Sequence, residues 1–266
     1  MRIDWTALPE AVTKEIADRI GGSHAIPAMH GDHAEIAATV TGTAGKVFVK
    51  AAHTDLGVRS LRYELLVGEA LEPPHSPAIQ WHFETGGWLV AGFEQLDGPH
   101  ADLSPSSPDL DLLAAAIYDL NRSSPPDLPL FNPLARLGFS HPTMDGDTLV
   151  HTDLNPANLI VTSGSLRIVD WAYATKAAPW VELALLVQWL IGSGHTPGQA
   201  EDWLARFPAW DTAGIEALDH FAIRNAAKWS AKAKTSPDPW VHDLAAWTGL
   251  WAQHRPQPTS ASRSPH

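Results

Sequence analysis

Strand patterns and helix patterns are segregated along this chain, and the change of character falls at Asp97-Gly98. Before it, short strand-like runs surround one main helical segment. After it, helical periodicity dominates. A chain written in that order folds as an α+β protein whose sheet and helices occupy separate regions. The first segment, Leu8 to Ile20, places Leu8, Val12, Ile16 and Ile20 at helical spacing and closes on Gly21-Gly22, as an entry helix. Glu35–Val40 and Lys46–Lys50 flank the turn Thr41-Gly42-Thr43-Ala44-Gly45 and predict a hairpin whose second strand ends in a lysine. A helix around Ser60–Leu71 stops at Pro73-Pro74. The runs Ala78–Phe83 and Trp88–Glu94 meet across Gly86-Gly87, with Ile79, Trp81 and Phe83 alternating as one buried face. Residues 1–98 are thus expected to form an N-lobe of antiparallel strands with one main helix.

Beyond that point Ser107 is the expected N-cap of a helix with Pro108 at its first position, and Leu110, Leu113, Ala114, Ile117 and Leu120 form its apolar stripe. A short hairpin is expected from Asn158–Val161 and Leu166–Val169 around Ser163-Gly164-Ser165. Helical segments follow near 180–192, 197–206, 211–233 and 239–252. Residues 99–254 make a mostly helical C-lobe in this reading, and 255–266, without periodicity, a disordered tail. At 266 residues and 44% hydrophobic content the chain is large enough for a real core.

Cysteine is absent, which removes disulfides, thiolate metal sites and a cysteine nucleophile. No apolar stretch of about eighteen residues occurs, and the start, Met1-Arg2-Ile3-Asp4-Trp5, does not read as a signal peptide, so a cytoplasmic location is expected. With 18 basic and 30 acidic residues the formal charge is −12. That balance disfavours nucleic acid and membrane surfaces as partners and draws cations toward the protein.

The chemistry is concentrated in Val150-His151-Thr152-Asp153-Leu154-Asn155-Pro156-Ala157-Asn158 and in Asp170-Trp171 at the end of the following hairpin. Asn158 follows Asp153 at an offset of five, the spacing of the H-R-D-L-x-x-x-N loop, and Asp170 ends the next strand as the aspartate of D-F-G does. Phosphoryl transfer needs a carboxylate for the acceptor hydroxyl, oxygen ligands for Mg²⁺ and a cation for the phosphates. Asp153, Asn158 with Asp170, and Lys50 at the end of Val47-Phe48-Val49-Lys50 are the candidates for those parts.

On these residues the chain resembles the aminoglycoside phosphotransferase family, protein-kinase-like small-molecule kinases that include choline-kinase-like enzymes. The similarity runs from residue 8 to about 250 and rests on His151, Asp153, Asn158, Asp170 and Trp171. It implies a bilobal protein-kinase-like fold and transfer of the γ-phosphoryl of ATP or GTP to an acceptor hydroxyl, with Asp153 as catalytic base and Mg²⁺ on Asn158 and Asp170. Lys50 would then meet the phosphates with Glu64 as its ion-pair partner. Glu69 competes for that place, but Arg62-Tyr63-Glu64 matches the family's helix start. The resemblance further implies an adenine-contacting hinge at Glu94-Gln95-Leu96-Asp97, with Glu94 and Leu96 on the nucleotide, and a loop over the phosphates at Met29–Ala34, where Gly31 is the single glycine. His151 and Glu182 would support the catalytic loop. Trp171-Ala172 stands where D-F-G kinases carry Phe-Gly.

The acidic balance points to a cationic acceptor, an aminoglycoside or another antibiotic, with a choline-like or sugar-alcohol metabolite as the alternative. A nucleotide-binding pseudokinase with a scaffold role is the reading from another class, and the joint presence of Lys50, Asp153, Asn158 and Asp170 speaks against it. A metal hydrolase using His151 and Asp153 lacks a His-Glu-x-x-His or similar cluster. The chain is expected to act as a monomer or homodimer.

Overall fold

A computed structural model describes residues 3–22, 24–28, 34–71 and 75–255. The chain runs through α1 (Glu10–Ile20), β1 (His24–Pro27), β2 (Ile36–Gly42), β3 (Gly45–Ala52), α2 (Asp55–Ala70), β4 (Ile79–Thr85) and β5 (Trp88–Glu94). It continues through α3 (Asp109–Arg122), α4 (Pro133–Leu137), β6 (Thr148–Val150), β7 (Leu159–Thr162), β8 (Ser165–Ile168) and β9 (Thr175–Ala177). Five helices follow: α5 (Trp180–Gly192), α6 (Pro197–Leu204), α7 (Pro208–Ala213), α8 (Ile215–Ala233) and α9 (Pro239–His254). These elements fall into two compact units. The first comprises residues 1–102, 108–130 and 153–174, and the second 103–107, 131–152 and 175–266.

In the first unit five antiparallel strands take the order β1-β2-β3-β5-β4. Strand alternation assigns the two faces of this sheet. Val47, Val49, Ala51 and Val90 pack with Val12, Ile16 and Ile20 of α1, and Ala52, Leu89, Ala91 and Phe93 pack with Leu61 and Leu65 of α2. Each fully buried aliphatic side chain in these clusters contributes about 1.5–3 kcal/mol. α2 starts at Asp55, five residues before the expected Ser60, because Thr54 caps it: the Thr54 hydroxyl accepts from the Gly57 N–H. The Glu35 carboxylate sits under the same turn, accepting from the Thr54 hydroxyl and from the His53 N–H at 3.1 Å. β1 lies beyond the expected strands, on the sheet edge beside β2.

After β5 the chain passes Gly98 and lies along β7, with the Val161 N–H on the Pro99 carbonyl and the Ala101 N–H on the Leu159 carbonyl, both at 2.9 Å. A Cβ on Gly98 would stand 2.0 Å from the Val161 carbonyl oxygen. Gly98→Ala is therefore expected to cost about 2–3 kcal/mol, as a clash with backbone that cannot rotate away. Chemical denaturation of the variant measures this, and an unchanged midpoint would contradict the close approach. β7 and β8 form the expected hairpin, with Leu159 opposite Ile168. α3 begins at Asp109 rather than behind a Ser107 cap: its N-cap is Pro108, with no side-chain cap, and the Asp109 carboxylate instead accepts the Asp102 N–H at 2.9 Å.

The second unit is built around α5, buried on almost every side from Trp180 to Ile191, as a helix apolar all round must be. Phe221 of α8 is the aromatic hub, with ring centroids 5.9 Å from Trp180, 6.1 Å from Trp251 and 5.3 Å from Phe139. The single helix expected over 211–233 is two helices, because Gly214, at φ 74° and ψ 154°, breaks the ladder between α7 and α8. β6 and β9 form a two-stranded antiparallel sheet absent from the sequence expectations. Among the described residues no helix is long and apolar enough to cross a membrane.

Candidate active site

The alternation that buries Val49 against α1 turns its neighbour Lys50 to the other face of the sheet, toward α2. There the Lys50 Nζ donates to both Glu64 carboxylate oxygens at 2.8 Å and to Asp170 Oδ1 at 3.0 Å. Glu69, the competing partner, lies 3.4 Å from the His82 Nε2 instead. The Lys50, Glu64 and Asp170 side chains are 13%, 8% and 11% exposed, so their charges meet with little solvent screening. Burial pushes the Lys50 ammonium down, but the charges of Asp170 and Glu64 outweigh it and hold the group above the ordinary lysine value. Burial pushes the Glu64 carboxyl up to about 7, against the pull of Lys50 and with Asp170 adding to the rise. One ammonium is thus shared by two carboxylates, and the Glu64 carboxyl gives up part of its charge near neutral pH.

The second group is organised by the turn that precedes β7. Pro156–Asn158 form one 3₁₀ turn capped by Asn155, whose side chain accepts the Ala157 N–H at 2.9 Å. That turn points Asn158 back at Asp153: the Asn158 Nδ2 donates to the Asp153 carbonyl at 2.9 Å and to Asp153 Oδ2 at 3.3 Å. The Val169 N–H donates to the Asn158 carbonyl at 3.0 Å, continuing the β7–β8 register, so Asn158 and Asp170 emerge at the same end of the hairpin. Asp170 itself has φ 67°, a left-handed backbone that a β-carbon resists and that functional sites retain. The Trp171 indole N–H, on the His75 carbonyl at 2.9 Å, pins the residue after it.

Within the second unit, Glu182 in the first turn of α5 is 1% exposed and accepts from the main-chain N–H groups of His151 and Thr152, the latter at 3.0 Å. His151 is fully buried. Arg136 of α4 holds the same stretch from its side chain, donating to the Thr152 hydroxyl at 2.9 Å and its carbonyl at 3.3 Å. Thr152, at φ 64°, is a second strained residue, and Asp153 is the next residue in the chain.

Lys50, Glu64, Asn158 and Asp170 all line one cavity of about 340 Å³ inside the first unit, with Phe48, Phe93 and Leu96 among its apolar walls. At its hinge end the Leu96 carbonyl takes the Gln95 Nε2 at 2.9 Å, and among the described residues no hydrogen bond uses the Leu96 N–H. The Glu94 carboxylate accepts from Arg167 of β8 at 3.0 Å, which ties the start of that segment to the hairpin. Gly31 lies outside the described residues. Among those described no group of three or more His, Cys, Asp or Glu is gathered around a point. The donors present are one carboxylate and one amide oxygen, with the Asn158 N–H already committed to Asp153. That sparse oxygen set fits Mg²⁺, which takes its remaining ligands from phosphates and water.

Arg136 and Arg167 escaped the sequence reading. Neither stands in a motif, and each acquires its partner only through tertiary contact.

Over 45 residues the chain is 44% identical to a protein LicA homolog of Mycoplasma capricolum subsp. capricolum, a stretch that is 17% of this chain and 19% of that protein. The crystal structure of choline kinase LicA from Streptococcus pneumoniae superposes with a TM-score of 0.64 at 16% identity, covering 92% of this chain and 98% of that one. A thermostable mutant of aminoglycoside phosphotransferase APH(4)-Ia, in ternary complex with AMP-PNP and hygromycin B, gives 0.60 at 13% identity, covering 92% and 99%. These likenesses establish the kinase-like α+β fold. The family model described as the phosphotransferase enzyme family, APH, matches residues 51–218, and the chain belongs to that family.

Proposed function

We propose that the protein is a small-molecule kinase that moves the γ-phosphoryl of ATP or GTP onto a hydroxyl of its acceptor. The observation that carries this reading is the convergence of Lys50, Glu64, Asn158 and Asp170 on one cavity, with Asp153 held by Asn158. The purine would lie against Phe48 and Phe93, with the Leu96 N–H as the hinge donor. Lys50, oriented by Glu64, offsets phosphate charge. Asn158 and Asp170 would hold Mg²⁺, which supplies charge neutralisation between the phosphate groups. Asp153 orients the acceptor hydroxyl and receives its proton as the oxygen bonds to the γ-phosphorus and the bond from that phosphorus to the leaving nucleoside diphosphate breaks. Preorganised charge is the main source of rate in such a site.

We place the functional division at residue 98, with the nucleotide-binding sheet, helix and hinge before it and the catalytic loop, metal site and acceptor site after it. Aminoglycosides, choline-like amines and sugar alcohols belong in the first acceptor screen. Because the reagents are a nucleoside triphosphate and Mg²⁺, we place the protein in the cytoplasm. The test is Mg²⁺-dependent nucleoside-diphosphate release across that panel, abolished by chelation. Lys50→Met is expected to weaken binding of a non-hydrolysable ATP analogue about tenfold, the loss of one charge-assisted contact to phosphate. An unchanged affinity would remove Lys50 from the nucleotide site.

A further inference from the structure

α8 carries three cations at consecutive i, i+4 positions, Arg224, Lys228 and Lys232, with no acid in the stripe. Residues four apart share a helix face, and like charges there destabilise the helix. In most surface helices a neighbouring carboxylate relieves such a row. Here, among the described residues, no carboxylate comes within ion-pair distance of any of the three, although acids outnumber bases in the chain by 30 to 18. Lys228 is half-buried, and its burial and the neighbouring charges of Arg136 and Lys232 push its ammonium down to about 8. Positive charge is thus concentrated at one place in an acidic protein, with Lys228 partly withdrawn from water and, among the described residues, no carboxylate paired to any of the three.

The aromatic residues beside the stripe sharpen the chemistry. Trp229 of α8 and Trp240 of α9 meet edge to face with centroids 5.8 Å apart, and Trp240 is 43% exposed. Two indoles in that arrangement suit a quaternary or alkylammonium ligand. The protein supplies the cation itself: the Lys232 Nζ lies 4.9 Å from the Trp229 ring and 4.5 Å from the Trp240 ring. A cationic acceptor would have to displace Lys232 and then face Lys228. The overall charge of −12 is a long-range property that steers encounter; the groups at a site decide what stays bound. The Arg136 guanidinium whose charge acts on Lys228 also holds Thr152, the residue before Asp153.

We infer that the second unit carries an anion site, formed by Arg224, Lys228 and Lys232 of α8 with Arg136 of α4, that anchors a phosphate or carboxylate group of the hydroxyl-bearing acceptor. This rests on the kinase reading and names its acceptor class. The site selects acceptors with one hydroxyl to be phosphorylated and one anionic group to be held, and it disfavours the polycationic aminoglycosides.

The test uses the full chain. Nucleoside-diphosphate release is measured with matched acceptors, sugar alcohols against their monophosphates and hydroxy acids against their amides, alongside aminoglycosides and choline. The anionic member of a pair is expected to have at least about tenfold higher kcat/KM, the effect of one charge-assisted contact. Which pair shows it separates phosphate from carboxylate. Inorganic phosphate is expected to compete with the acceptor and not with ATP. Lys228→Met is expected to raise the acceptor KM about tenfold with the ATP KM unchanged. The exposed Arg224→Ala gives the same readout if Lys228→Met folds poorly. Equal turnover of neutral or cationic acceptors, insensitive to both substitutions, overturns the anion site and leaves the kinase standing. If the protein binds no nucleotide, the kinase reading fails, and calorimetric titration with inorganic phosphate judges the site by itself: weaker binding in Arg224→Ala than in wild type supports it, and equal binding overturns it.

Discussion

Asp153→Ala is expected to lower kcat by roughly 10³-fold while leaving the affinity for the ATP analogue within about twofold of wild type. Asp153 is not among the residues that line the cavity of Lys50, Glu64 and Asp170, and its Oδ2 accepts from the Asn158 Nδ2 at 3.3 Å. In the proposed mechanism its removal takes away the group that orients the acceptor hydroxyl and receives its proton, an interaction made in the transition state and not in nucleotide binding. The loss should therefore appear in kcat and kcat/KM for the acceptor together. Asp153→Asn keeps the shape and the bond from Asn158 but cannot take the proton, so it should fall nearly as far as alanine. Steady-state kinetics on any acceptor found by the screen measures this. A variant retaining more than about a tenth of wild-type kcat would assign the proton to another group, since general-base removal typically costs 10²-fold or more.

The two parts of this site were legible in the sequence to different degrees, for a physical reason. Asp153, Asn158 and Asp170 sit on one local unit, a turn and a hairpin, where chain spacing and spatial arrangement nearly coincide. Lys50 and Glu64 are fourteen residues apart and belong to different elements. Strand alternation predicts which face Lys50 takes, and helical spacing predicts where Glu64 points, but only the packing of α2 on the sheet joins them at 2.8 Å. Arg136, Arg167 and Glu35 had no such guide, because each acts through partners distant in sequence. The boundary errors are of the same kind. Thr54 starts α2 early because a buried carboxylate supports its first turn, and Gly214 splits one periodic pattern into two helices. Arg224, Lys228 and Lys232 were not singled out in the sequence, because what distinguishes them is tertiary: Lys228 is half-buried, and among the described residues no carboxylate pairs with any of the three.

That same distinction between local and distant support governs the second large effect. Glu182→Ala is expected to destabilise the protein by about 3 kcal/mol or more, because a fully buried carboxylate is the acceptor for two buried main-chain donors, at His151 and Thr152. Each N–H left without a partner costs about 1–3 kcal/mol. For a chain of this size that corresponds to a fall in Tm of roughly 6–12 °C. Catalysis should fall with it, since His151 and Thr152 lead directly into Asp153 and Thr152 is held at a φ of 64° that it would relax from if released. Arg136 still grips the Thr152 hydroxyl and carbonyl, so the loop is weakened and not freed. Glu182→Gln offers one oxygen in place of two and turns an NH₂ toward donors, so it should recover little. Glu182→Asp keeps both oxygens on a shorter arm and should recover part of both stability and kcat. Asp153→Ala is the comparison: in the proposed mechanism it removes the group that takes the acceptor proton, so its loss should fall on kcat more than on Tm. If Glu182→Ala instead loses kcat at unchanged Tm, Glu182 acts on the chemistry more directly than through the main chain of His151 and Thr152.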